Sequence, residues 1–312
     1  MTELELIARI IPTLATNSSV VAGAGDDCAL LDLGLPDRCL LLKTDAAVAG
    51  VHFDNDAPPE KIGRKALARN LSDIAAMAGT PLAAVVTIGL PKDFSPEFIE
   101  GVYRGLNSLA QQHRIAVVGG ETTLSPSGFW ISVAVLGSVP KNKCPLRSGA
   151  KPGDAIFVTG DLGGSRAGQH LDFEPRLEEA RWLAENFPIH SMIDLSDGLA
   201  SDLRHILKAS KAGAELLTSA VPIARAARLA AKRGNAAKPP LLAALTDGED
   251  FELLFTLPGK QAVPLLDAWK KKFDRVRLSC IGKITAARGL KLRDKHGVKE
   301  FTGHGYVHFD EP

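Results

Sequence analysis

The sequence predicts an α/β protein of two domains, each a sheet with helices packed on it. Three observations carry that expectation. At 312 residues with 45% hydrophobic content, the chain is long enough to bury two cores. Its apolar runs are short and alternate with stretches of helical period, the order of a layered sheet rather than of a helical bundle. A cluster of turn-forming residues, CPLRSGAKPGD at 144–154, then opens into a fresh apolar run, AIFVTG. That cluster sets the boundary, giving an N-terminal domain of residues 1–146 and a C-terminal domain of residues 147–312.

Taken in order, residues 40–44 (LLLKT) read as a strand. Over 60–78, Ile62, Ala66, Leu67, Leu71, Ile74 and Ala75 share one face of a helix, which Gly79 and Pro81 stop. AAVVTIGL at 83–90 reads as a buried strand, and Ser95-Pro96-Glu97 starts a helix whose stripe is Phe98, Val102, Leu106 and Leu109. The strand IAVV at 115–118 is expected to end in Gly119-Gly120, and another spans 130–137. In the second half, Leu199, Leu203, Ile206 and Leu207 define a helix over 199–211, while ELLFT at 252–256 and LSCIGKI at 278–284 read as strands. GDLGGSRAG at 160–168 is expected to be a flexible loop, and the Ala/Lys-rich stretch near 224–238 a surface segment.

Bulk charge narrows the function classes. The 37 basic and 36 acidic residues leave +1, so nothing argues for a nucleic-acid or membrane partner. The apolar runs are too short to span a bilayer as helices. Cys28, Cys39, Cys144 and Cys280 form no CxxC pair, which disfavours a zinc ribbon or a disulfide framework and makes a reducing cytoplasm the expected location. The first residues are acidic where an export signal would be basic.

The chemistry sits in scattered acids. Asp26-Asp27, Asp45, Asp73, Glu121, Asp194 and Asp197 each stand beside a Gly, a Thr or Ser, or the end of an apolar run. If they converge, their mutual repulsion demands hard cations bound through oxygen, and magnesium carrying a polyphosphate is the natural occupant. GAGDDCALL at 23–31 holds a GxG, but Cys28 replaces the third glycine of a dinucleotide fingerprint, and its aspartates would repel a pyrophosphate without a metal between. A plain Asp-rich turn is the competing explanation there. KTDAAVAGVHF at 43–53 places Thr44, Asp45 and His52 at a strand end, a common ligand position in open sheets. Asn70 and Asp73 share a helix face that borders the apolar stripe.

GGETT at 119–123 offers Glu121 after glycines that let backbone approach a ligand. IDLSDGLASDL pairs Asp194 and Asp197 around Ser196 ahead of a helix, where one of them is expected to cap the N-terminus. Asp247, Glu249 and Asp250 form an acidic turn before a strand. No GxxxxGK[ST] loop, HRD or DFG pair appears, and Ser165 lacks a GxSxG elbow. His304 and His308 have metal-compatible spacing but read as surface histidines.

Together, GAGDDCALL, KTDAAVAGVHF, ALARNLSDIAAMAGTP, VVGGETT, RSGAKPGD, IDLSDGLASDL and DGEDFELLF resemble, in the same order and over nearly the whole chain, the thiamine-monophosphate kinase family. The resemblance implies a PurM-like fold of two α/β domains that forms a homodimer through the mixed N-terminal sheet. It also implies that ATP phosphorylates thiamine monophosphate to thiamine diphosphate, with several Mg2+ ions. Carried over by motif, Asp27, Thr44, Asp45, Asp73, Glu121, Asp194 and Asp197 hold the ions; Tyr103, Gly120, Arg147 and Ser196 contact ATP; His52, Glu249 and Tyr306 face thiamine phosphate. Direct in-line transfer without a dedicated general base is the expected chemistry.

Three departures from the family pattern stand out. Lys43 occupies a position where a small hydroxyl residue is usual, and is a candidate phosphate contact or replacement for one cation. Glu121 stands for the usual Asp, and the stretch between Gly168 and Pro188 is short. Two rival readings are another ATP-using enzyme of the same superfamily, acting on a ribonucleotide amide or a selenium compound, and a non-catalytic regulator that binds nucleotide and cations. The N-terminal glycine-rich loop offers no reactive Cys for selenium chemistry.

Overall fold

The structure, a computed structural model, describes residues 3–234 and 237–306. After a short helix α1 (Glu3–Ile10), the first half builds one sheet from β1 (Val20–Ala22), β2 (Ala29–Leu31), β3 (Arg38–Val48), β4 (Thr80–Leu90), β5 (Ala116–Leu124) and β6 (Trp130–Pro140). Helix α2 (Pro59–Ala76) joins β3 to β4, and α3 (Pro96–Gln112) joins β4 to β5. The strand order is β1-β2-β3-β6-β4-β5; β4 and β5 run parallel and the remaining pairs antiparallel.

The second half supplies β7 (Asp154–Thr159), α4 (Gln169–Asp172), α5 (Leu177–Asn186), β8 (Ser191–Asp194), α6 (Leu199–Ser210), β9 (Gly213–Leu217), α7 (Arg225–Lys232) and α8 (Pro240–Thr246). It closes with β10 (Leu253–Pro258), α9 (Ala262–Lys272), β11 (Leu278–Thr285), β12 (Gly289–Asp294) and β13 (Gly297–Glu300). These strands form a second sheet in the order β13-β12-β9-β11-β7-β10-β8. Among the described residues, no strand is shared between the two sheets, and no helix is long and apolar enough to cross a membrane.

Helix α2 is the element on which the site depends. It begins with Pro59, whose fixed φ suits a first turn, and it is buried over most of its length because it lies between both halves. One apolar cluster runs from Leu41, Val86 and Val133 of the first sheet, through Leu67, Leu71 and Ile74 of α2, to Phe157, Leu183, Phe255 and Trp269 of the second half. Burying each such side chain contributes roughly 1.5–3 kcal/mol. A second cluster, with Ile156, Val158, Leu203, Ile206 and Ile281, fills the far face of the second sheet beneath α6. Glycine fixes the approach of α3: a Cβ on Gly63 would lie 1.8 Å from the Val102 carbonyl oxygen, and one on Gly105 1.8 Å from that of Glu60. Ser95 caps α3 by accepting the Phe98 N–H at 3.1 Å.

The first sheet is covered on one face only. Side chains alternate along β3, so Cys39 and Leu41 are buried toward α2 while Leu42 points away. On the uncovered face Leu42, Leu82, Val85, Val118 and Leu136 are all exposed.

Three local expectations change. Strand β5 does not end at Gly119-Gly120 but runs on to Leu124, with a bulge between the Ala84/Val117 and Val86/Gly120 pairs. Strand β4 begins at Thr80, so Pro81 lies inside it, where the register with β6 shifts between Pro81 and Ala83. The segment 160–168 is pinned rather than loose: the Gly163 N–H donates to Asp250 at 3.0 Å and the Gly164 N–H to Asp247 at 3.1 Å.

Candidate active site

Three carboxylates from distant parts of the chain meet at the junction of the two sheets. Asp27 comes from the β1–β2 loop, Asp73 from α2 and Asp194 from the end of β8; all are buried, and each offers an oxygen within 4.8 Å of the others. The Ser72 hydroxyl donates to Asp194 Oδ2 at 2.6 Å. Arg147, in the connection between the sheets, reaches Asp27 Oδ1 at 2.7 Å and turns its backbone N–H toward Asp26 at 3.2 Å. Lys43, on β3, lies 2.9 Å from Asp73 Oδ1 and 3.4 Å from Asp45 Oδ1. Arg69 is a more distant partner of Asp45 at 3.8 Å.

Negative charge is in excess here: among the described residues, Asp26, Asp27, Asp45, Asp73 and Asp194 pair with Lys43, Arg69 and Arg147 alone. Burial, reinforced by the Asp27 charge, pushes the Asp194 carboxyl up to about 7. Burial also lifts Asp73 well above its ordinary range, against the pull of Lys43, and brings Asp26 to about 6 with help from Asp27. Asp27 Oδ2 is buried without a hydrogen-bond partner. Converging carboxylates, one orphaned oxygen and too few ammonium or guanidinium groups fit a hard divalent cation held through oxygen.

A second group surrounds the predicted substrate residues. Lys65, on α2 and fully buried, places Nζ 2.9 Å from both carboxylate oxygens of Glu249, 2.6 Å from His170 Nδ1, and within hydrogen-bond reach of the His52 carbonyl oxygen. Burial opposes ionisation of Glu249, but His170 and Lys65 outweigh it and hold the carboxyl down at about 2. Glu249 adopts φ 57°, a left-handed conformation uncommon for a non-glycine residue, and its N–H donates to the Ser196 carbonyl at 2.7 Å. The next carbonyl, that of Asp197, accepts the Tyr306 N–H at 3.0 Å. His52, Glu249, Ser196, Asp197 and Tyr306 therefore belong to one connected neighbourhood.

Other predicted residues lie apart from the triad. Thr44 points to the uncovered sheet face, opposite to Lys43 and Asp45, with Oγ1 3.3 Å from Ser132 Oγ. Glu121 pairs with Thr87, which in turn pairs with Ser132, so it shares that face; three strand spacings, about 14 Å, separate β5 from β3. Gly120 has a packing reason of its own, since a Cβ there would lie 1.7 Å from the Val86 carbonyl oxygen. Tyr103, half-buried on α3, packs partly against the main apolar cluster and lies beside Glu100, Arg104 and Asn107.

The expected cap from Ser196, Asp194 or Asp197 is supplied instead by Asp202. Its carboxylate, one turn inside α6, accepts the N–H groups of Asp197 and Gly198 at 3.1 Å. Asp202, Asp197 and His205 form a second acidic group. His304 is exposed as expected, and His308 lies outside the described residues.

Sequence reasoning passed over Lys65, His170, Ser72 and Asp202. Lys65 did carry a signal, because it adjoins the apolar stripe of α2 one residue before Ala66. Nothing local marks His170.

Comparison with known proteins follows the same division. The model of the AIR synthase related protein family matches through its N-terminal domain over residues 25–139 and its C-terminal domain over 154–295. The chain is 39% identical over 282 residues to a thiamine-monophosphate kinase of Rhodopirellula baltica, covering 88% of this chain and 86% of that protein. It is 36% identical to that of Escherichia coli K12 over 335 aligned positions, covering 99% of each. Among solved structures, AaThiL complexed with AMPPCP and TMP matches with a TM-score of 0.84 at 30% identity, covering 99% of this chain and 97% of that one.

Proposed function

The chain belongs to the thiamine-monophosphate kinase family, and from that premise we infer that ATP and thiamine phosphate meet, through magnesium, at the cage of Asp27, Asp73 and Asp194. The protein is an ATP-dependent phosphotransferase that makes thiamine diphosphate and ADP from thiamine phosphate and ATP. The observation that carries the placement is the buried convergence of those three carboxylates with one oxygen left unpartnered.

Two phosphates must approach, and each carries charge. Magnesium held by the cage would screen them and neutralise charge growing on the leaving group. The residues of the chain then have positioning roles. Asp27, Asp73 and Asp194 would hold the inner cations, with Asp45 and Asp197 as the proposed outer ligands, while Thr44 and Glu121, on the uncovered sheet face, are proposed to hold ions apart from this cage. Arg147 keeps Asp27 oriented and has further N–H donors for ATP phosphate, joined by Gly120, Ser196 and Tyr103 as proposed ATP contacts. His52, Glu249 and Tyr306 are proposed to receive thiamine phosphate, which the Lys65 and Ser196 contacts around Glu249 support. The acceptor phosphate is largely ionised at neutral pH, so no general base is needed and the transfer is direct and in line.

A homodimer through the first sheet accords with its uncovered face, where Leu42, Leu82, Val85, Val118 and Leu136 are exposed. Thr44 and Glu121 share that face. The proposed domains, 1–146 and 147–312, leave each sheet whole.

Incubation with magnesium-ATP and thiamine monophosphate, beside a ribonucleotide-amide control, should yield thiamine diphosphate from the first substrate only. Transfer of a chiral γ-thiophosphate should invert configuration at phosphorus. Retention, or a labelled phosphoenzyme trapped during turnover, would overturn the direct route.

A further inference from the structure

Lys43 stands inside the acid cage, not beside it. Alternation along β3 turns it to the same face as Leu41 and Asp45, toward α2. Its Nζ lies 2.9 Å from Asp73 Oδ1 and 3.4 Å from Asp45 Oδ1, with about a fifth of the side chain exposed (21%). Burial works against its charge, yet Asp73 and Asp45 outweigh that effect and hold the ammonium cationic well above the ordinary range.

This geometry competes with a metal. A magnesium ion shared by Asp45 and Asp73 would need oxygens at about 2.0–2.1 Å in near-octahedral array. An ammonium already placed between the same two carboxylates fills that volume and supplies one unit of positive charge without requiring dehydration of an ion. A strand-borne lysine is also permanent, so part of the repulsion among Asp45, Asp73 and their neighbours is offset before any metal binds.

We propose that Lys43 is a tethered cation that takes the place of one divalent ion between Asp45 and Asp73, so that the protein assembles its phosphate site with one metal fewer. It acts as a positioning residue, and the proposal rests on the phosphoryl-transfer reading of the cage.

Free Mn2+ followed by electron paramagnetic resonance gives the number of ions bound per chain, in the presence of a non-hydrolysable ATP analogue. Lys43→Thr is expected to bind one more Mn2+ than wild type, and Lys43→Arg the same number as wild type. Without metal, Lys43→Thr should melt at lower temperature than wild type and recover as Mn2+ is added. Equal ion counts in wild type and Lys43→Thr, with both chains folded by circular dichroism, would overturn the proposal. Should Lys43→Thr fail to fold without metal, Lys43→Ala purified in Mn2+, which likewise empties the volume between the two carboxylates, serves for the same count, with the same two outcomes. Metal counting needs no turnover: if wild type makes thiamine diphosphate while the counts are equal, only the lysine proposal falls. If the counts differ while no product forms, the transfer reading falls instead.

Discussion

Replacing Asp194 by Asn separates what the acid cage does to the fold from what it does for the reaction. Asp194 is 3% exposed, and its oxygens lie within 4.8 Å of those of Asp27 and Asp73. Two unit charges at that distance repel by roughly 3–4 kcal/mol at an effective dielectric near 20. The carboxyl is raised from 3.8 to about 7, mainly by burial and then by Asp27, which corresponds to about 4 kcal/mol of opposition to folding above that pH. Because the folded carboxyl holds its proton longer than the unfolded one, this opposition is absent below the unfolded value, grows as pH rises toward about 7, and is constant beyond. Asn keeps an oxygen to accept the Ser72 hydroxyl.

Urea unfolding of metal-free protein at pH 8 should therefore find Asp194→Asn more stable than wild type by about 2–4 kcal/mol. The gain should shrink on acidification and vanish as pH falls well below the unfolded value of 3.8, where both states are protonated. Magnesium should stabilise wild type more than the variant, and kcat should fall by at least the roughly 10–100-fold that loss of an outer-sphere metal partner produces. A variant less stable than wild type at pH 8 without metal, and equally responsive to magnesium, would refute the reasoning.

Three further outcomes follow from the same contacts. Arg147→Leu removes the partner of the buried Asp27 carboxylate, so metal-free unfolding should be easier by about 3–5 kcal/mol, with magnesium restoring part of the loss in a thermal-shift assay. Magnesium binding at pH 6 should release protons from Asp194 and Asp26, held up at about 7 and about 6. Calorimetry in buffers of different ionisation enthalpy would then give different heats at pH 6 and converging heats at pH 8.5. Lys65→Met takes from Glu249 its nearest cation, leaving Arg166 at 4.0 Å. The variant should raise KM for thiamine phosphate more than for ATP. It should also lose the part due to Lys65, but not the part due to His170, of the stability that Glu249, depressed to about 2, gives wild type above pH 4.5 and withdraws as pH falls through about 2.

The convergence of Asp27, Asp73 and Asp194 was legible because each stands where an α/β chain turns or where a helix face borders its stripe, the positions that such folds bring to a sheet junction. The side of the sheet was legible too, yet unused: a period of two along β3 separates Thr44 from Lys43 and Asp45. The position of Glu121 was not, because it depends on β6 inserting between β3 and β4 and leaving β5 at the edge. Strand order is a tertiary property that no local pattern encodes. Gly119-Gly120 read as a strand end, whereas β5 uses them for a bulge and a close approach to β4. Lys65 resembled the polar edge of an amphipathic helix, since only the second half of the chain, through Glu249 and His170, makes it interior.

Anomalous scattering from crystals grown with manganese and a non-hydrolysable ATP analogue tests the carboxylate cage most directly. The account predicts manganese bound by oxygens of Asp27, Asp73 and Asp194 at about 2.1 Å. Manganese found only elsewhere, with those three carboxylates free of metal while the analogue is bound, would contradict it.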